Sequence, residues 1–385
     1  MAGLIIHSAR LVTDGAVRED AWMHVVDDRV AAVGDGDGWR GLIAATVVDA
    51  VATAGAGAIL TPGFIDIHGH GGGGASYDAG PEAVRRARDL HRAHGTTRAV
   101  ISLVTAPLGE LTRSTAMIAD LVDSDADILG SHLEGPFLAA ERKGAHDEDL
   151  LRAPEEGVLD TLLRAGRGTI RQVTLAPELP NGLHAVRRVV EAGAAAAVGH
   201  TTADAAITAA AFTAGATILT HAFNAMPGLG HRDPGPVGAA ASDPRVTLEL
   251  IADGVHVHPD ILRIAFAAAP DRIALVTDAM AAAGSVDGRY ELGGRPVDVR
   301  DGVARLVDGG SIAGSTLTQD AALRVCVDAG VALPAVVHAL TAAPAAAIGR
   351  GHDLGRLAPG YLADAALLGA DLQVAQVWTA GRPVA

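Results

Sequence analysis

The sequence predicts a (β/α)₈ barrel, an α/β fold of TIM type, with a small β-sandwich domain formed from both chain termini. Three observations lead there. Eight short apolar runs alternate with helix-like stretches through the middle of the chain, the pattern of βα units around a parallel sheet. Both ends read instead as short strands and turns. The length of 385 residues leaves room for one barrel of about 250 residues and a small second domain.

The N-terminal strand-like segments are Leu4–His7, Trp22–Val26 and Arg29–Gly34, with Asp-Gly and Asp-Asp turns between them. The C-terminal end repeats the pattern in Ala363–Leu368 and Val374–Trp378, followed by a turn at Gly381. Neither end can bury much alone. Chain termini often lie close together, so the two are expected to pair into one domain spanning 1–58 and 350–385, leaving 59–349 for the barrel.

The eight runs are Gly63–His68, Arg98–Val104, Ile128–Glu134, Arg171–Ala176, Ala195–His200, Thr217–His221, Val246–Ala252 and Arg272–Thr277. Helix-like segments separate most of them, such as Pro81–His94 with proline in its first turn. The sixth crossover, around Pro234–Asp243, is short. An open doubly wound sheet is the alternative, but no Gly-x-Gly-x-x-Gly opens the first helix. A hairpin-like insertion, Arg289–Val307, follows the eighth run, and then two helical segments, Thr318–Ala329 and Pro334–Ile348.

Composition narrows the function. Apolar residues make up 49% but aromatics only 3%, so aliphatic side chains must fill the core. The net charge of −15 repels phosphate backbones and anionic lipid, which argues against nucleic acid or a membrane as partner. An anionic substrate would need a cation placed against that field. A lone Cys326 cannot form an internal disulfide. Met1–Ile6 lacks the basic start and long apolar run of a signal peptide, and no apolar stretch is long enough to span a bilayer. The expected location is the cytoplasm.

Polar residues gather at the ends of the runs, where barrel active sites lie. His68 and His70 end the first, Glu134 the third, His200 the fifth and His221 the sixth; Asp253 and His256 follow the seventh and Asp278 the eighth. A ring of such groups is hard to explain by packing. Two histidines at i and i+2 on a strand face the same side, and neutral imidazoles suit Zn²⁺ or Fe²⁺. Glu134 ends an apolar strand and is placed to hold a cation, or else to pair with Arg142 or Lys143. His132, two residues deeper, reads as a hydrogen-bonded core histidine. His200 is either a ligand or a cap for the helix after Thr201, Thr202 and Asp204. Asp278 reads as a general base beside an activated water, or as a turn cap.

These motifs together resemble the N-acetylglucosamine-6-phosphate deacetylases of the amidohydrolase superfamily. The matching stretches are Pro62–Asp66, His132–Phe137, Lys143–His146, Thr174–Glu178, Thr220–Met226, Ile251–His256, Leu275–Ala279 and Ala313–Ser315, in the family's order. Ala343–Gly349 and Leu357–Asp364 match the chain's return to the small β domain.

The resemblance implies an enzyme that removes the acetyl group from N-acetyl-D-glucosamine 6-phosphate, giving glucosamine 6-phosphate and acetate by attack of metal-bound hydroxide. Glu134, His200 and His221 would hold the main divalent metal. His68 and His70 would form a second site sharing Glu134. Zinc is expected, with iron, manganese or cobalt as alternatives. Asp278 would be the catalytic base and acid, and His146 would polarise the acetyl carbonyl. Ala145, Asn224, Ala225, His256 and the backbone near Ile312, Ala313 and Gly314 would hold the sugar. Arg232 would meet the phosphate from the neighbouring subunit of a homodimer, where a bidentate guanidinium suits the anion. Two other functions stay open: a different amide hydrolase of the superfamily, acting on a related N-acetylhexosamine phosphate or resembling a dihydroorotase or hydantoinase, and a non-catalytic metal-binding barrel.

Overall fold

A computed structural model describes residues 3–384. Met1, Ala2 and Ala385, which belong to the expected terminal domain and the expected lack of a signal peptide, lie outside the described residues.

The eight expected barrel strands all form. Phe64–Asp66, Thr96–Val104, Ile128–Glu134, Ile170–Leu175, Ala195–Val198, Ile218–Leu219, Thr247–Ile251 and Ile273–Val276 lie side by side in chain order, each parallel to the next. Helices cover their outer face and side chains fill the inside, so the strands are buried on both faces and read as apolar runs rather than alternating ones. The fully buried Gln319 side chain bridges the seam between first and last strands, donating to the carbonyls of Ile65 at 3.0 Å and Leu275 at 3.1 Å.

The covering helices show why they form. Pro81–Ala93 starts with proline and buries Val84, Ala87, Arg88 and His91, the i, i+3, i+4, i+7 spacing of one helix face. Gly182–Glu191 buries Gly182, Ala185, Val186 and Val189 by the same rule. The sixth crossover is the short helix Gly235–Ser242. The expected helix Pro334–Ile348 divides into Leu333–Leu340 and Ala342–Ala347. The Pro344 ring would meet the carbonyl of Leu340 in a continuous helix, and the chain breaks at Thr341.

Both chain ends build one curved sheet. Gly3–Thr13 pairs with Ala16–Val26 on one side; on the other it pairs first with Thr46–Asp49 and then with Ile59–Pro62. Ile59–Pro62 in turn pairs with Ala365–Leu368 from the C-terminal end. Strands from both ends enclose one core containing Ile6, Leu11, Met23, Leu60, Leu367 and Trp378. Pairing thus runs past residue 58 to the first residues of the barrel segment. A buried Arg98 fastens this sheet to the barrel, donating to both carboxylate oxygens of Asp364 at 2.6 and 2.9 Å.

The insertion forms a three-stranded sheet, Gly288–Leu292, Arg295–Arg300 and Val303–Leu306. Its Leu292, Val297 and Leu306 pack with Met280, Ala282 and Ala313 over the barrel mouth. No helix among the described residues is long and apolar enough to cross a membrane.

One ion cluster carries a stability prediction. Asp320 accepts from His94 Nδ1 at 3.0 Å, Thr318 Oγ1 at 2.6 Å and Arg324 Nη1 at 3.0 Å. Burial pushes this carboxyl up, but the bonds from His94 and Thr318 outweigh it and hold it at about 2. A depressed carboxyl stabilises the fold above its unfolded value and loses that contribution as pH falls through the folded one. Asp320→Asn should therefore cost about 2 kcal/mol at neutral pH, with the deficit shrinking as pH falls from about 4 towards 2. Urea unfolding at several pH values reads this; a deficit independent of pH would count against it.

Candidate metal centre and active site

The ends of the barrel strands and the loops leaving them bring six of the predicted residues together. Glu134 closes the third strand. His200 and His221 sit two residues beyond the ends of the fifth and sixth strands, at Val198 and Leu219. Asp278 sits two beyond Val276. His200, His221 and Asp278 take positive φ angles of 46°, 27° and 48°. Such backbone is costly for non-glycine residues and persists where surrounding structure enforces it. Here it turns three side chains inward at the strand ends.

The histidine pair differs from expectation. The first strand ends at Asp66, so His68 and His70 lie in the following loop rather than on the strand. The loop is tied down instead of paired: Asp278 N–H donates to His68 O at 2.8 Å, His70 N–H to Ala279 O at 2.7 Å, and His68 N–H to Asp66 Oδ1 at 3.2 Å. Asp66, unassigned from sequence, also accepts from Thr277 Oγ1 at 2.6 Å. Burial lifts its carboxyl to about 6.

Two groups of donor atoms result, His200–His221–Glu134 and His68–His70–Glu134–Asp278, with Glu134 common to both. In the first, His200 Nε2 lies 3.0 Å from His221 Nε2, and Glu134 Oε1 lies 3.1 and 3.2 Å from the two rings. These edges match a tetrahedral ion with ligand bonds of about 2.0 Å, whose ligand atoms stand about 3.3 Å apart. His200 Nδ1 faces the carbonyl of Arg142 at 2.7 Å. A carbonyl only accepts, so Nδ1 carries the proton and Nε2 turns a lone pair inward. In the second group, His70 Nε2 lies 3.1 Å from both Glu134 Oε2 and Asp278 Oδ1. The buried His68 Nε2 has no aligned hydrogen-bond partner, at 3.3 Å from Glu134 Oε1 and 3.5 Å from Asp278 Oδ1.

The electrostatics call for a cation here. Burial opposes charge on His70, yet its hydrogen bonds to Asp278 and Glu134 lift it to about 9. Burial raises Glu134 too, but His68, His200 and His221 hold it well below the usual carboxylate range. Asp278 follows the same pattern: burial raises it, while His68 and His70 outweigh that and hold it at about 2. Two buried carboxylates that hold a proton on a neighbouring imidazole would hold a divalent cation in that proton's place, and the residues fit such an ion.

The donors open into a cleft of about 280 Å³. Of the predicted substrate residues, Ala145, Asn224, Ala225, His256, Ile312 and Gly314 line it. Ala313 is fully buried among Met280 and Leu306, behind the lining. Arg232 is exposed outside this chain's cleft. His256 is held by Asp253 at 2.7 Å, and this bond outweighs burial to raise the ring above its ordinary value. His146 lines the cleft with Nε2 3.6 Å from Glu134 Oε2. Its Nδ1 accepts from Thr105 N–H at 3.4 Å and faces the Thr105 hydroxyl at 2.9 Å, which leaves the proton on Nε2, towards the site. Burial and His200 push this ring down to about 3, so it is neutral.

The competing sequence readings fall away here. Lys143 pairs with Glu148, not Glu134, at 2.9 Å. Asp204, not His200, caps the helix Ala205–Thr213, accepting from Ile207 N–H. His132 is the core histidine expected, bonded to Ser102 and Thr174 at 2.9 and 2.8 Å. Sequence reasoning missed the cleft residues Thr105, Glu141, Arg142, Asp147, Leu292 and Gly293. The last two come from the insertion, whose distance in sequence gives no sign that it covers the barrel mouth.

A barrel with strand-end imidazoles and carboxylates converging on divalent-metal positions defines a metal-dependent hydrolase. The chain belongs to the amidohydrolase family, whose model matches residues 59–384. Among its relatives, the N-acetylgalactosamine-6-phosphate deacetylase of Escherichia coli O157:H7 is 38% identical, covering 98% of both chains. The N-acetylglucosamine-6-phosphate deacetylase of Vibrio furnissii is 36% identical over 84% of this chain and 82% of its own. The solved N-acetyl-D-glucosamine-6-phosphate deacetylase of Mycobacterium smegmatis superposes with a TM-score of 0.92 at 41% identity, covering both chains fully; one of its structures is a mutant bound to N-acetyl-D-glucosamine-6-phosphate.

Proposed function

We propose that the protein is an N-acetylglucosamine-6-phosphate deacetylase, releasing acetate and glucosamine 6-phosphate. The observation that carries this is the convergence of Glu134, His200 and His221 in one cleft with Asp278 and His146. The reading is supported by the full-length match to the Mycobacterium smegmatis enzyme.

Glu134, His200 and His221 would hold the main divalent ion, and His68 and His70 with Glu134 a second; zinc suits these donors best, with iron, manganese or cobalt also accommodated. A bound ion supplies positive charge that acidifies water and polarises the acyl oxygen. Asp278, ionised at neutral pH, takes the proton of the attacking water. It then returns that proton to the amine nitrogen as the carbon–nitrogen bond breaks. His146 donates its Nε2 hydrogen to the acyl oxygen as negative charge develops there. Asn224 and His256 orient the sugar hydroxyls from the cleft wall.

We further propose a homodimer in which Arg232 reaches the partner's cleft and binds the 6-phosphate. Its exposed position outside its own cleft supports this. Arg232→Ala should raise KM for the phosphorylated sugar roughly 10–100-fold, the worth of a charged hydrogen bond, and leave hydrolysis of the unphosphorylated sugar unchanged. Equal losses on both substrates would remove Arg232 from phosphate recognition. A second reading, the galactosamine epimer as substrate, is favoured by the full-length match to the Escherichia coli O157:H7 relative. Acetate release measured on both N-acetylhexosamine 6-phosphates decides between them. Release from neither would defeat the proposal.

A further inference from the structure

Glu249 lies in the middle of the seventh barrel strand, Thr247–Ile251, with no exposed surface. Every neighbour of its carboxylate is a donor. Oε1 accepts from Gln172 Nε2 at 2.8 Å. Oε2 accepts from the backbone N–H of His221 at 3.2 Å and faces His68 Nδ1 at 3.0 Å. No Lys or Arg side chain pairs with this buried carboxylate, among the described residues; its ionisable partner is the His68 ring. We infer that Glu249 is a positioning residue that fixes His68 with its Nε2 lone pair turned to the donor group of His70, Glu134 and Asp278, and so sets the affinity of the second ion site. This rests on the metal-binding reading above.

The chemistry follows from the two faces of one ring. A carboxylate accepts and cannot donate, so it keeps the proton on His68 Nδ1. Nε2, on the opposite side, has no aligned partner and lies among acceptor oxygens of Glu134 and Asp278. A lone pair there adds one more donor to a cation; a proton would exclude it. Carboxylates behind ligand histidines also raise their basicity, and losing one typically weakens metal binding 10–100-fold.

Glu249→Gln has nearly the same shape but cannot serve both neighbours. With its amide nitrogen towards His68, it donates to Nδ1 and drives the proton to Nε2, facing the site. With the amide turned the other way, its nitrogen meets the nitrogen of Gln172, and turning that second amide as well gives up the Gln172 Nε2 contact with His132 Nε2 at 3.4 Å. Either orientation weakens the arrangement that a carboxylate satisfies.

The test is calorimetric titration of Zn²⁺ into metal-stripped full-length protein, with circular dichroism to verify folding. The parent should take up two ions per chain. In Glu249→Gln the second should bind roughly 10–100-fold more weakly, while the ion of His200 and His221 is retained. In a His68→Ala background, Glu249→Gln should cause no further loss, because its effect passes through that ring; a merely structural role would show in both backgrounds. Glu249→Asp, still acceptor-only, should weaken the second ion less than Glu249→Gln, and the comparison with the parent stands on this variant if the glutamine fails to fold. Parent-like affinity for the second ion in the folded variants overturns the inference and leaves the metal reading intact. A parent that binds one ion overturns the inference alone. A parent that binds none overturns both.

Discussion

Asp278→Asn should lower kcat by roughly 10²–10⁴-fold, the contribution of a placed general base, while the protein still binds an ion through Glu134, His200 and His221. The side chain is buried beside His70 at 3.1 Å and held ionised by its histidine neighbours. An amide keeps the shape but accepts no proton at neutral pH. Asp278 lies outside the His200–His221–Glu134 group but inside the second, so the variant should lose affinity for the second ion only. Turnover and zinc content measured together read this. An asparagine variant with parental kcat would remove Asp278 from the chemistry.

Stripping the metal should have the larger effect. Glu134 is shared by both donor groups, so the protein's catalytic charge depends on it twice. Prolonged chelation should reduce acetate release to background, and Zn²⁺ should restore it. Glu134→Gln should be inactive and recover nothing on zinc addition. Chelation should also lower the melting temperature, because an ion bound to the folded state alone at 100 times its Kd adds about 2.7 kcal/mol. Activity that survives exhaustive chelation would be incompatible with the proposal.

The barrel was legible because its strands are buried on both faces and bounded by helix-like segments, which gives continuous runs such as Val246–Ala252. Ligand candidates were legible because charged groups recur at one end of those runs. What escaped is the way the backbone aims them. A strand carrying His68 would end in regular pleats, yet the chain leaves the sheet at Asp66, and carboxylate and backbone bonds from Asp66 and Asp278 hold the loop. The left-handed turns at His200, His221 and Asp278 carry no composition signal, since none of the three is a glycine. Glu249 did leave a trace: an acid inside the run Thr247-Leu248-Glu249-Leu250-Ile251 must face other polar groups if the strand is buried. The cleft's outer wall could not be read, because Leu292 and Gly293 arrive from an insertion whose docking depends on Met280 and Ala313, not on local pattern.

The most direct test is a crystal of the zinc-loaded protein measured on either side of the zinc absorption edge. The account predicts an anomalous peak about 2.0–2.2 Å from Nε2 of His200, Nε2 of His221 and a carboxylate oxygen of Glu134. A fully loaded crystal with no peak touching those three side chains would contradict it.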